Sequence, residues 1–236
     1  AYYYDNKMMI WASPLDFELR GSHRWLQNVI THEFAHIVSL QKAMKAGTSI
    51  PGAYFQFMNY EEEKRPDVLY GYPNTLVSYP LPGTVVPPWL AEGTAQYMYD
   101  DADWDNWDSH RDMILRDRVI NNNLLSFTEM NTFGKKGIGN ESTYNSGFAL
   151  ATYIANEYGS DVLSKVMEEL SSPLQFSINK AILNVTGTSG RDIYQDFKTA
   201  IEAKYNTLVD PIRVMPVQGE KLQIEGTTNI HPKWHP

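Results

Sequence analysis

Three residues with the chemistry of a metal-dependent hydrolase lie within one short segment, which reads His-Glu-Phe-Ala-His over residues 32–36. On a helix, residues four positions apart lie on the same face, so His32 and His36 could bind one metal ion together. Glu33 directly follows the first histidine and could accept a proton from a water molecule at the metal. The alternative is a pair of core histidines with an ion-paired glutamate, which would leave costly buried polarity.

The residues around this motif predict a helix that runs from about residue 23 to residue 45. Ser22 is a candidate N-cap for this helix, and Gly47 is a candidate C-cap. We therefore expect the motif to lie in mid-helix with buried apolar residues around it. These residues recur at helical spacing: Trp25, Leu26, Val29, Ile30, Phe34, Ile37, Val38 and Leu40.

A third ligand is required, because catalytic zinc usually has three protein ligands and keeps a fourth position open for water. One class of zinc proteases has a glycine and a third histidine shortly after the motif, and Ser39 and Lys42 stand at those positions. The remaining common solution is a glutamate from a later helix. Glu92 meets that requirement, in the segment Pro-Trp-Leu-Ala-Glu-Gly-Thr-Ala over residues 88–95.

The helix that carries Glu92 is predicted from Trp89 to about Tyr99, with Pro88 at a favoured first helical position. Gly93 is unusual inside it, because a mid-helix glycine costs about 1 kcal/mol relative to alanine. A close approach between this helix and the motif helix would explain that glycine. The alternative for Glu92 is an exposed residue on an ordinary amphipathic helix.

The overall composition excludes several classes of protein. The chain has 236 residues, 42% hydrophobic and 20% charged, which is typical of a soluble globular protein. A net charge of −8 argues against a nucleic-acid partner, and no apolar run approaches the length of a membrane span. The absence of cysteine leaves only His, Asp and Glu as zinc ligands and fits an extracytoplasmic bacterial protein.

The remaining sequence predicts a strand over residues 7–12, then a long proline-rich connection over 47–88 that allows a short hairpin. After it, helical patterns dominate up to Tyr205. At Val209–Pro211 the helical pattern gives way to a weak alternation typical of short strands. This change suggests a boundary between a domain of residues 1–208 and a segment of residues 209–236. The helical patterns cover residues 108–120, 143–158, 161–171, 174–185 and 191–205.

With both motifs identified, the chain resembles the gluzincin metallopeptidases, in particular the peptidase-MA-like group, over about residues 8 to 205. The resemblance implies an α+β, zincin-like fold. A small N-terminal β-sheet would lie beside the long motif helix, and a mostly helical C-terminal part would follow. It also implies one zinc ion per chain, bound by His32, His36 and Glu92, with Glu33 as the general base.

Tyr144 matches a tyrosine that stabilises the oxyanion in gluzincin aminopeptidases, within a Tyr-Asn-Ser-Gly segment that ends at Gly147. Ser146 replaces the lysine expected there, and the upstream aminopeptidase motif for the substrate amine is not seen. His110 is another candidate oxyanion donor, although a surface position in an acidic loop suits it better. Gln96, one turn after Glu92, is a candidate partner for a ligand histidine or a surface residue.

The last residues, Asn-Ile-His-Pro-Lys-Trp over 229–234, resemble the opening strand of Tol-associated periplasmic β-propellers. A simple terminal strand or tail is the alternative. The abrupt start suggests a removed leader, and we expect an exported protein that acts on peptides or proteins. Other functions remain open, namely a metallohydrolase of another amide or ester, or a non-catalytic binding module with a zincin fold.

Overall fold

A computed structural model of the chain describes residues 25–45, 53–60, 62–64, 73–81, 83–98, 109–133 and 139–215, with the single positions 8, 10 and 219. Within these ranges the chain is mostly helical, as expected for its C-terminal part. The helices are, in chain order, α1 (Trp25–Lys42), α2 (Pro88–Tyr97), α3 (Ser109–Ile120), α4 (Gly139–Tyr158), α5 (Val162–Ser171), α6 (Ile178–Thr186) and α7 (Gly190–Val214), with a short 3-10 turn at Glu129–Asn131.

Two strands, β1 (Ala53–Tyr60) and β2 (Pro73–Leu81), form an antiparallel hairpin between α1 and α2. Phe55 pairs with Tyr79, and the register shifts near Tyr60. The proline-rich connection therefore contains a hairpin, which the sequence allowed. The strand predicted over residues 7–12, and the N-terminal sheet with it, lie outside the described residues apart from Met8 and Ile10.

Helix α1 begins and ends close to the predicted bounds, but among the apolar residues that predicted it, and whose burial the structure describes, only Ile37 is fully buried. It packs against α2 and α5 through a face that carries mainly small and polar residues. Small side chains allow helices to approach closely, so this face and not the most apolar one is covered. The buried residues are Asn28, Ala35, Ile37 and Ser39, whereas Leu26, Ile30, Phe34 and Val38 have exposed fractions of 40–56%. The caps predicted at Ser22 and Gly47 lie outside the described residues.

The C-terminal helices follow amphipathic patterns with well-defined ends. In α5, residues at helical spacing are fully buried: Val162, Leu163, Val166, Met167 and Leu170. Ser177 and Ser189 cap the starts of α6 and α7 by accepting backbone N–H groups of Lys180 and Asp192. Gly187 ends α6 with a left-handed φ of 81°, a conformation that favours glycine.

Helix α7 continues beyond the boundary that the sequence suggested at Val209–Pro211. It runs through Pro211 to Val214, so residues 212–214 are helical and not strand. Pro211 removes the backbone donor to the carbonyl of Thr207, but Thr207 is exposed, so water can satisfy that carbonyl. The rest of the proposed 209–236 segment lies outside the described residues, apart from Met215 and Gly219.

No helix among the described residues is both long enough and apolar enough to cross a membrane.

Candidate metal centre

Three side chains from two helices converge on one point. His32 and His36 lie one turn apart on α1, and Glu92 projects from α2. Nε2 of His32 lies 2.9 Å from Nε2 of His36, and the two nitrogens lie 3.0 and 3.2 Å from Oε2 of Glu92. The side chains are only 12–13% exposed. The sequence-predicted ligands are therefore brought together in a site of low exposure.

The spacing and chemistry of these atoms fit a bound metal ion. Two nitrogens and one oxygen at about 2.05 Å from a tetrahedral zinc ion would lie about 3.3 Å apart, close to the observed 2.9–3.2 Å. The same donor set suits other first-row divalent ions as well as zinc.

Glu92 is held as a carboxylate by the two histidines. Burial alone would raise the pKa of this carboxyl group, because a charge is poorly solvated away from water. Hydrogen bonds from His32 and His36, together with their charges, outweigh burial and lower the pKa of Glu92 to about 2. The site therefore presents an anionic oxygen at neutral pH, which is the form that binds a cation.

Tyr144 on α4 lies beside the ligands. Its ring stacks on that of His32, with the centroids 6.3 Å apart and the planes 21° from parallel. Burial raises the pKa of Tyr144 well above its usual range, and the charge of Glu92 and a hydrogen bond to it raise that pKa further. The nearby carboxylate of Glu33 acts in the same direction. The hydroxyl thus keeps its proton at neutral pH and can donate a hydrogen bond.

The position of Glu92 depends on very close packing between α2 and α4. A Cβ atom built at Gly93 would lie 2.4 Å from the carbonyl oxygen of Gly147, and one built at Gly147 would lie 2.5 Å from that of Trp89. Only glycine allows two helix backbones to approach this closely. The expected close approach at Gly93 therefore exists, but its partner is α4 and not the motif helix.

A second layer of side chains contacts His32. The amide of Gln96 lies 3.1 Å from Nδ1 of His32, and the other end of the amide lies 2.7 and 2.8 Å from the terminal nitrogens of Arg111. Gln96 and Arg111 are 4% and 6% exposed. Gln96 is therefore a buried partner of a candidate ligand histidine, which is one of the two alternatives that its position one turn after Glu92 suggested. Sequence reasoning missed Arg111, because nothing in its local sequence marks it.

His110 lies beside Arg111 in the first turn of α3, but its side chain is outside the described residues.

Comparisons of this chain with protein-family models, with curated proteins and with solved structures found no match in any of the three. The fold and the site define a mostly helical protein with a candidate His-His-Glu metal centre. Any more specific function must be argued from the residues of that centre.

Proposed function

We propose that the chain is a zinc-dependent peptidase of the gluzincin type, with a zincin-like arrangement of the helices around its metal site. One observation carries the proposal: His32, His36 and Glu92 converge from two helices with their ligand atoms 2.9–3.2 Å apart. Glu33 directly follows His32 in the sequence, and the ring of Tyr144 stacks on the ring of His32. A bare metal-binding module would not require that base and that donor.

A metal ion bound by these ligands would supply a Lewis acid that lowers the pKa of water and polarises the scissile carbonyl. Glu33 would take the proton from the attacking water and deliver it to the leaving amine, so the amine departs neutral. The hydroxyl of Tyr144, which hydrogen-bonds to Glu92 in the structure, would turn to donate to the carbonyl oxygen as negative charge develops there. The substrates would be peptides or proteins, and an exported protein lacking cysteine suits this role.

Metal content and peptide cleavage test this proposal together. The purified protein should bind about one zinc ion per chain after reconstitution, and His36→Ala should abolish stoichiometric binding. Glu33→Gln should retain the metal yet lose activity on a peptide library by about 100- to 10,000-fold. Glu157→Gln removes an exposed carboxylate on α4 and serves as the matched control with unchanged activity.

Absence of zinc from the reconstituted wild-type protein would overturn the proposed metal centre. Full cleavage activity in Glu33→Gln would remove Glu33 as the base. A wild-type protein that binds zinc but cleaves no peptide, and instead hydrolyses simple amide or ester substrates, would shift the function to another metallohydrolase.

A further inference from the structure

The Gln96 amide bridges two groups whose hydrogen-bonding chemistry differs. A guanidinium group only donates hydrogen bonds, so the amide atom 2.7 and 2.8 Å from Arg111 must be the oxygen. The amide nitrogen then faces Nδ1 of His32 at 3.1 Å and donates to it. With this orientation, Nδ1 of His32 is an acceptor and carries no proton.

This arrangement also determines the position of the proton on His32. A neutral imidazole carries one proton, so an accepting Nδ1 places that proton on Nε2. Nε2 lies 3.0 Å from Oε2 of Glu92, which is a good acceptor for it. Hydrogen bonds are thus donated in one direction along a chain from Arg111 to Gln96, from Gln96 to His32 and from His32 to Glu92. We call these four residues the donor chain.

Metal binding requires the opposite polarity at His32. A metal ligand must offer the lone pair of Nε2, and the proton of the neutral ring then resides on Nδ1. There it would meet the N–H group of Gln96, so that two donors face each other. If the amide turns to present its oxygen to His32, its nitrogen faces the donors of Arg111 instead. A neutral amide cannot accept from both sides at once.

We infer that Arg111 acts through Gln96 as a positioning residue that holds His32 in the tautomer unable to bind metal. The inference rests on the proposed metal centre. Its consequence is that metal affinity is lower than the ligand set alone would give, because binding must reverse the donor chain. Arg111 and Gln96 are almost fully buried, so water cannot readily relieve the conflict.

Gln96→Glu tests the inference because a carboxylate accepts from both sides. The new side chain would accept from Arg111 and from Nδ1–H of His32 together, so the conflict disappears. Competition with a chelator for zinc should show affinity about tenfold or more tighter than wild type. Met98→Glu is the matched control, since it adds the same charge two residues away at an exposed position, and it should change affinity far less.

A second measurement does not involve metal or activity. Nitrogen-15 NMR of the metal-free protein should show the His32 proton on Nε2 in the wild type and a proton on Nδ1 in Gln96→Glu. Arg111→Met should also tighten zinc binding, because it frees the amide to present its oxygen to His32. If Arg111→Met does not fold, Gln96→Glu alone decides the question.

The possible outcomes separate this inference from the proposed function. A wild-type protein that binds no zinc would overturn the proposed function itself. If the wild type binds zinc but Gln96→Glu is no tighter than Met98→Glu, the inference fails and the metal centre stands. Weaker zinc binding by a folded Arg111→Met, or a wild-type His32 with its proton on Nδ1, would also overturn the inference.

Discussion

Two regions of this protein are built in different ways. The candidate metal junction, formed by α1, α2 and α4 and called the metal junction below, depends on particular residues, namely the side chains that could hold a metal ion and the glycines where α2 meets α4. The C-terminal bundle, formed by α5, α6 and α7, depends on apolar side chains at helical spacing and on capped helix ends. One region is thus defined by single positions, and the other by a repeated pattern.

Buried polarity separates the same two regions. In α4, the consecutive residues Ser142 and Thr143 and the pair Asn145 and Ser146 are all at most 1% exposed. The buried residues of α5 are apolar without exception. Burying polar groups costs free energy unless they are hydrogen-bonded, and within the described part of the chain the side chains of Thr143, Asn145 and Ser146 have no hydrogen-bond partner. We therefore expect the C-terminal bundle to contribute more to stability than the metal junction does. Substitutions in the bundle should therefore alter stability alone, whereas those in the junction should alter metal binding as well.

The largest loss of stability is expected in the bundle, from Ile182→Ala. Ile182 is 1% exposed on α6, which packs against α5 and α7. Truncation should lower the free energy of unfolding by about 3 kcal/mol, through lost burial and the cavity left behind. Thermal unfolding of the metal-free protein would measure it, as a fall in Tm of roughly 6 to 12 °C. Zinc affinity of the folded protein should not change.

Leu183→Ala is the control, because the adjacent Leu183 is 41% exposed and its truncation should cost far less. A change in zinc affinity in Ile182→Ala would show that the C-terminal bundle and the metal junction are coupled and do not act as separate regions.

A smaller loss of stability with a larger effect on metal is expected from Gly93→Ala. The new Cβ atom would overlap the carbonyl of Gly147, so α2 must move away from α4. We expect a loss of about 2 kcal/mol and weaker zinc binding, because Glu92 precedes Gly93 and moves with it. Thermal unfolding and chelator competition would measure the two effects.

Gly187→Ala provides the contrast in the bundle. A Cβ atom at Gly187 meets no atom of the described residues within 4 Å, and its φ of 81° is the unfavourable feature. This variant should lose about 1 kcal/mol without any change in zinc affinity. Equal effects of the two glycine substitutions on zinc affinity would mean that the α2–α4 contact does not position the ligand.

The same contrast explains how much the sequence could predict. Helical periodicity and end signals predicted α5, α6 and the start of α7, because local pattern and burial agree there. The spacing of His32 and His36 is local to one helix, and Glu92 followed from the need for a third ligand. The convergence of these residues gives that prediction a geometric basis.

The sequence could not predict contacts between helices, because these contacts depend on how the helices are oriented towards one another. Arg111 contacts Gln96 only because of the orientation of α3, and the partner of Gly93 is set by the crossing of α2 and α4. The exposed apolar residues of α1, such as Phe34, show the same limit. Periodicity predicted a helix correctly, whereas the buried face was decided by the small residues that pack on α2 and α5.

The smallest effect is expected at a helix end. Ser189 accepts the backbone N–H of Asp192 and donates its hydroxyl to the Asp192 carboxylate at 2.7 Å, which fixes the first turn of α7. Ser189→Ala should cost about 1 kcal/mol, because it leaves that N–H without its cap. Thr199→Ala, at an exposed position on the same helix, should be nearly neutral since alanine is the better helix former. By contrast, α2 begins at Pro87–Pro88 without a side-chain cap, so no cap can be removed there by substitution. A loss in Ser189→Ala no larger than in Thr199→Ala would show that packing alone, and not the capped ends, stabilises the bundle.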